Sequence, residues 1–203
     1  PSGIAAAIEA AEKKLDVILV EQDSLIGGDQ LSEDKFDTFH NLDQLKNLGI
    51  KVMTRTTAFG LYDNCVIGLL EKVTDHLSSP DRSLPRQRFW TIRAKHIIVG
   101  SGALERHIAF NNNDIPGVMT VNASKHYLNR YGVLTGKNII IATNNDSVYE
   151  TANQISKAGA NVTVLDSRTN IEVDSDKNFE IRKGILPYNC LLYTSDAADD
   201  WFC

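Results

Sequence analysis

Gly3 heads an Ala-rich stretch, and Glu21 closes the apolar run Asp16–Glu21 that follows it. Gly27-Gly28 come shortly after, and a second apolar run, Ile97–Val99, ends on Gly100-Ser101-Gly102. A glycine at the head of a helix admits a pyrophosphate, because no Cβ blocks the backbone N–H groups and the helix end carries partial positive charge. A carboxylate about 20 positions on, at the end of the next strand, accepts hydrogen bonds from ribose hydroxyls. Glycines just past that carboxylate let the chain run close to a bound cofactor. The expected contact set for a dinucleotide is therefore Gly3, Glu21, Gln22, Gly27, Gly28, Gln30, Leu31, Ser101 and Gly102. Taken singly, each also suits an ordinary packed αβ unit or a loop turn; their order and spacing favour the ligand. Gly3 reads as the last glycine of a loop whose first strand and first two glycines would precede Pro1.

Other chemistries find less support. His76, His96, His107 and His126 are scattered with no carboxylate or cysteine at ligand spacing, so no metal site is expected. Cys65 falls in an expected hairpin without a second cysteine nearby, which argues against disulfide redox and for a small buried apolar residue. No residue stands out as a catalytic acid, base or nucleophile.

The elements that must position these groups alternate. Ile4–Leu15 reads as a helix lying close to a sheet, Asp16–Glu21 as a buried parallel strand, Lys35–Leu48 as a second helix stopped by Gly49, and Ile50–Thr57 as a strand. Asp63-Asn64 between apolar runs predicts a β-hairpin, and Arg88–Ala94 another strand. Pro80 and Pro85 mark the stretch between as an exposed loop. Lys95–Gly102 is expected as a buried strand ending in a glycine turn. Ala123–Tyr131 reads as a helix stopped at Gly132, and Asn138–Thr143, Val148–Ala158 and Asn161–Asp166 form a second strand–helix–strand unit. There Asn144-Asn145-Asp146-Ser147 replaces a glycine loop, so an Asp-Ser helix cap on a structural domain is expected rather than a second dinucleotide site.

The fold class that follows is α/β: a Rossmann-like FAD/NAD(P)-binding fold with an inserted β hairpin or meander and part of a second βαβ unit, truncated at both ends. Its expected organisation is a dinucleotide-binding domain over 1–106, a linker and helical crossover over 107–136, and a partial second domain over 137–189. Cys190–Asp200 matches a translated transposase-type sequencing adapter, so 190–203 is set aside from fold reasoning. That segment holds two of the three cysteines, leaving Cys65 alone and no internal disulfide framework. It also holds three aspartates, without which the net charge of −5 would be −2. A near-neutral chain with no basic block has no footprint for nucleic acid. No apolar run approaches the roughly 18 residues of a membrane span, so no membrane partner is expected and the cytoplasm is the simplest compartment.

Several longer strings resemble one family: Arg55-Thr-Thr-Ala-Phe-Gly-Leu-Tyr-Asp63, Leu84-Pro-Arg-Gln-Arg88, Gly102-Ala-Leu-Glu-Arg106, Asn112-Asn-Asp-Ile-Pro-Gly-Val-Met119, Tyr127-Leu-Asn-Arg-Tyr-Gly132 and Thr143-Asn-Asn-Asp-Ser-Val-Tyr149. The likeness is to the α subunit of heterotetrameric sarcosine oxidases, and it runs from Pro1 to about Arg168. The resemblance implies a subunit holding NAD (FAD being the alternative) in its dinucleotide fold, with β, γ and δ partners. FAD and a covalently attached FMN would sit in, or at the interface with, the β subunit. It further implies oxidation of sarcosine to glycine, with oxygen as electron acceptor and tetrahydrofolate as one-carbon acceptor in a C-terminal domain. Where the family has Pro, this chain has His107, and where Ala-Thr-Gly is usual it has Gly100-Ser101-Gly102, which keeps a hydroxyl. A subunit of a related amine, opine or hydroxyproline dehydrogenase complex, or a structural subunit with a vacant dinucleotide fold, stays open as an alternative.

Overall fold

Alanines at 5, 6, 7, 10 and 11 give α1 (Ser2–Glu12) a thin face, so its backbone lies close to the strand that follows. That strand, β1 (Ile18–Val20), pairs in parallel with β2 (Lys51–Met53), Ile18 opposite Lys51 and Val20 opposite Met53. Between them runs α2 (Thr38–Asn47), closed at Gly49, whose φ of +73° suits a residue without Cβ. Ile4, Ala7, Ile26, Leu45 and Ile50 are the buried centre of this layer. The computed structural model describes residues 1–33, 38–172 and 178–190; 34–37, which include the first three residues of the expected second helix, 173–177, and 191–203, most of the segment set aside above, lie outside the described residues. The chain divides into two compact units, Pro1–Ala103 and a second beginning at Leu104.

The expected strand over 50–57 is broken in two. Arg55 turns into the left-handed region at φ +52°, its N–H donating to Asp23 O, and the chain leaves β2 for a separate antiparallel sheet. That sheet has the order β3 (Thr56–Tyr62), β4 (Val66–Lys72), β5 (Gln87–Arg93). The β3–β4 hairpin turns through Asp63–Cys65, with Asn64 at φ +60° and Cys65 at φ +55°. Cys65 is thus half-buried at a strained turn position rather than buried as a small core residue. Trp90 anchors β5: its indole N–H donates to Glu71 at 2.8 Å, and Lys51 and Arg88 approach its ring at 5.0 and 5.5 Å.

One expected element is corrected. Lys95–Gly102 forms no β-ladder, and Ile98 and Val99 are 70% and 68% exposed. A strand needs a neighbour to satisfy its amides, and no described strand pairs with this segment. The apolar run alone could not supply that neighbour.

In the second unit β6 (Asn138–Thr143), β7 (Asn161–Asp166) and β8 (Glu180–Lys183) form an all-parallel sheet in that order. β8 was not foreseen; its Glu-Ile-Arg-Lys sequence carries little apolar signal. α4 (Val148–Lys157) lays Val148, Ala152 and Ile155 on Ile141, Val162 and Val164. Ile155 and Val164 are almost wholly buried, each contributing roughly 1.5–3 kcal/mol of apolar burial. α3 (Val121–Tyr131) packs Val121 and Leu128 on the same core and ends at Gly132, φ +67°, whose N–H returns to Leu128 O. Its N-terminus is well capped: Glu105 accepts from the N–H groups of Val121 and Asn122, and Thr120 from Ala123. Cys190 is 1% exposed, and its N–H donates to Asn111 O.

Candidate functional site

The head of α1 has no side-chain cap and no acidic residue in its first turn. Its first N–H groups have no acceptor inside the helix, so their partial positive charge is available to an anion. Gly3 sits close to β1, since a Cβ there would meet Leu19 Cδ1 at 3.8 Å. Gly100 packs directly on it: a Cβ on Gly100 would lie 2.9 Å from Gly3 N and 3.0 Å from Gly3 Cα. These are backbone atoms, so only glycine fits at 100 without moving the helix head.

Glu21 follows β1, tied in by its N–H to Met53 O and by Thr56 N–H to its own carbonyl. Its Oε1 accepts from Asp23 N–H at 2.9 Å, and no described residue bonds its Oε2. Gly27 is buried at φ +132° and Gly28 is exposed at φ +55°, a Cβ on the latter lying 3.8 Å from Pro1 Cδ. Both glycines therefore adopt backbone conformations that other residues rarely take, and Gly28 does so beside the head of α1. Gln30 shares with Pro1, Ser2, Ile4, Ala5 and Ile8 a cleft of about 410 Å³.

Of the expected contact set, Gly3, Gly28 and Gln30 come together around the head of α1, and Glu21 lies at the end of the adjoining strand. Gln22 is exposed in a bend and Leu31 is half-buried in a short 3-10 turn over Gly28–Ser32. Ser101 is exposed, and Gly102, φ +74°, would have nothing within 4 Å of a Cβ. The residue that touches the loop is Gly100, which lies outside the expected set. Its signal was present in the sequence as the first glycine of Gly100-Ser101-Gly102, but only the backbone approach singles it out. An uncapped helix head, a contact that only glycine allows and a carboxylate with a spare oxygen fit a pyrophosphate and an adjoining ribose.

The corresponding place in the second unit is built differently. Asp166, the last residue of β7, is fully buried and accepts from Tyr149 Oη at 2.7 Å and from Arg168 Nε and Nη2 at 3.0 and 2.8 Å. Arg168 holds the Asp166 carboxyl far below the ordinary carboxylate range by hydrogen bonding. Burial, and then the bond to Asp166, push the Tyr149 phenol up to about 12. The expected Asp-Ser cap is not formed. Ser147 has no capping bond; its hydroxyl donates to Asn145 Oδ1 at 2.6 Å, while Asp146 pairs with Arg168. Among the described residues no group of three or more His, Cys, Asp or Glu could hold a metal ion, and no helix is long and apolar enough to cross a membrane.

No family model matches the chain. It is 40% identical over 186 residues, 86% of this chain, to sarcosine oxidase subunit alpha of Rhizobium meliloti (strain 1021). It is 36% identical over 183 residues, 84% of this chain, to the protein of the same name in Corynebacterium sp. (strain U-96). In both cases the chain spans 19% of the relative's length. Among solved structures it shares its fold with L-proline dehydrogenase from P. horikoshii, at TM-score 0.61 and 19% identity over 91% of this chain and 40% of that one. A second is the water-forming NADH oxidase from Lactobacillus brevis bound to NADH, at TM-score 0.62 and 15% identity over 95% and 46%. At these identities the structural likeness establishes the fold alone, which is that of FAD/NAD(P)-dependent oxidoreductases.

Proposed function

We propose that this chain is the dinucleotide-binding part of the α subunit of a sarcosine-oxidase-like flavoenzyme complex, and that its first unit holds NAD. One observation carries the reading: 34–40% identity over 84–86% of the chain to proteins named sarcosine oxidase subunit alpha. The geometry of the first unit supports it. The head of α1, with Gly3, Gly28 and Gly100 around it, would receive the pyrophosphate, and Glu21 would receive a ribose diol; Gln30 would border the ligand, and Gln22, Gly27, Leu31, Ser101 and Gly102 would lie further out. Glu21 serves the ribose of NAD or of FAD equally well, so the choice of NAD rests on the family.

In the complex the chain would bind a dinucleotide and help form the interface, and it would supply no acid or base to the amine. Sarcosine would be oxidised to glycine at flavins held with a β subunit, with oxygen as electron acceptor. Tetrahydrofolate would take the one-carbon unit elsewhere in the longer α subunit. The γ and δ subunits would complete a soluble cytoplasmic heterotetramer.

The test uses the purified complex containing the full-length subunit. Its nucleotides are released by denaturation and counted, and oxygen uptake is followed with sarcosine, proline and an opine as substrates. One NAD per α subunit and sarcosine-dependent uptake are expected. FAD in its place, or no dinucleotide in this subunit, would sink the NAD assignment. Turnover of proline or an opine without sarcosine would move the chain to a related amine dehydrogenase.

A further inference from the structure

The second unit repeats the framework of a dinucleotide cradle: strand β6, a loop, helix α4, strand β7, and an acid at the end of that strand. In such a cradle, loop and helix-head amides face phosphate and the acid faces ribose. Here the acid and two of the loop amides, those of Asn145 and Ser147, are already engaged. Asp166 Oδ1 accepts from Arg168 N and Nε, and its Oδ2 from Tyr149 Oη and Arg168 Nη2. Asn145 Oδ1 takes both the N–H and the hydroxyl of Ser147, at 3.0 and 2.6 Å. Thr143 Oγ1 donates to Asn145 O at 2.9 Å and accepts Asn145 N–H at 3.1 Å.

Arg168 completes the closure. Its Nη2 bridges Asp166 Oδ2 at 2.8 Å and Asp146 Oδ1 at 2.6 Å, so one guanidinium spans from the end of β7 to the loop at the head of α4. Asp146, 79% exposed, also puts a negative charge where a phosphate would need to settle. The first unit differs in its acids: the first turn of α1 carries none where α4 carries Glu150, and among the described residues the Glu21 carboxylate accepts one hydrogen bond where that of Asp166 accepts four.

We infer that the second βαβ unit is closed to dinucleotides, with the Asp146–Arg168–Asp166–Tyr149 network standing where a nucleotide would lie and stapling loop to sheet in its place. The chain therefore carries its dinucleotide in the first unit only. The count of one rests on the reading of the first unit given above; the closure of the second does not.

Binding is measured on the intact complex by equilibrium dialysis with NAD, NADPH and FAD as separate probes, for the wild type and for Glu21→Ala, Asp146→Asn and Arg168→Lys. The Asp146 side chain is exposed, so Asp146→Asn tests the network without endangering the fold. The expected result is one equivalent in the wild type, retained within about twofold in affinity by Asp146→Asn and Arg168→Lys and weakened at least about tenfold by Glu21→Ala. A second equivalent in the wild type overturns the closure. So does loss of dinucleotide from Asp146→Asn or Arg168→Lys while Glu21→Ala retains it. No binding of any probe at saturation would sink the reading of the first unit and uphold the closure of the second.

Discussion

At the scale of single residues, Gly100 is the position where the backbone approaches the head of α1 most tightly. Gly100→Ala places a Cβ against the backbone of Gly3 and forces the head of α1 to move. The expected cost is about 1–3 kcal/mol, as for overpacking elsewhere, with loss of most bound dinucleotide. Gly102→Ala meets no atom and strains only its own φ of +74°, costing about 1–2 kcal/mol while leaving binding nearly unchanged. Thermal unfolding and released-nucleotide content of the two variants would separate contact from strain; equal loss of nucleotide in both would refute the distinction. The place of Glu21 at the end of β1 was legible in the sequence because it closes an apolar run. Gly100 was not, because a glycine's role depends on what approaches it, and Gly3 and Gly100 lie at opposite ends of the first unit's sequence.

At the scale of elements, the alternation of helix and strand was readable wherever burial is periodic. Val148, Ala152 and Ile155 announce α4, and Asn161–Asp166 announces β7. Ile97–Val99 misled for the same reason: an apolar run records a preference for burial without saying whether a partner strand is at hand. The network closing α4 onto β7 carries two pH limits. Asp166 is held below its unfolded pKa, so its contribution is present above about pH 3.9 and is lost as pH falls below that value. Tyr149 is raised to about 12, so its contribution is present below about pH 10 and is lost as pH rises from there through about 12. Tyr149→Phe should abolish the alkaline limb and destabilise the unit by about 1–3 kcal/mol at neutral pH, since a buried carboxylate loses a donor. Unfolding midpoints followed across pH would check both, and an unchanged alkaline limb in Tyr149→Phe would refute the assignment. At α3, Glu105→Ala removes the acceptor of two helix-head amides. Faster amide exchange at Val121 and Asn122 and a loss of about 1 kcal/mol are expected.

At the scale of the whole molecule, the exposed apolar residues carry the argument. Ile98, Val99, Leu104, Leu186 and Tyr188 are between 68% and 98% exposed. The 203-residue chain produced alone is therefore expected to bind a hydrophobic dye, to associate on size exclusion and to retain no dinucleotide. A monodisperse preparation carrying NAD would refute this. Which enzyme the chain serves belongs to this scale too, since the strings that resemble sarcosine oxidase subunit alpha are spread over both units.

The sequence by itself determined the α/β alternation, the hairpin at Asp63-Asn64, the helix-then-strand order that leads from Gly3 to Glu21 and the family likeness, because each is written in local spacing or in contiguous strings. Only the tertiary structure decided that Gly100 rather than Ser101 or Gly102 meets the helix head, and that Ile97–Gly102 goes without a strand partner. It alone also showed Arg168 filling the second cradle. The physical reason is common to all three. Backbone approach, strand pairing and the satisfaction of a buried carboxylate are contacts between residues distant in sequence or across a fold, and no local pattern specifies which partner arrives.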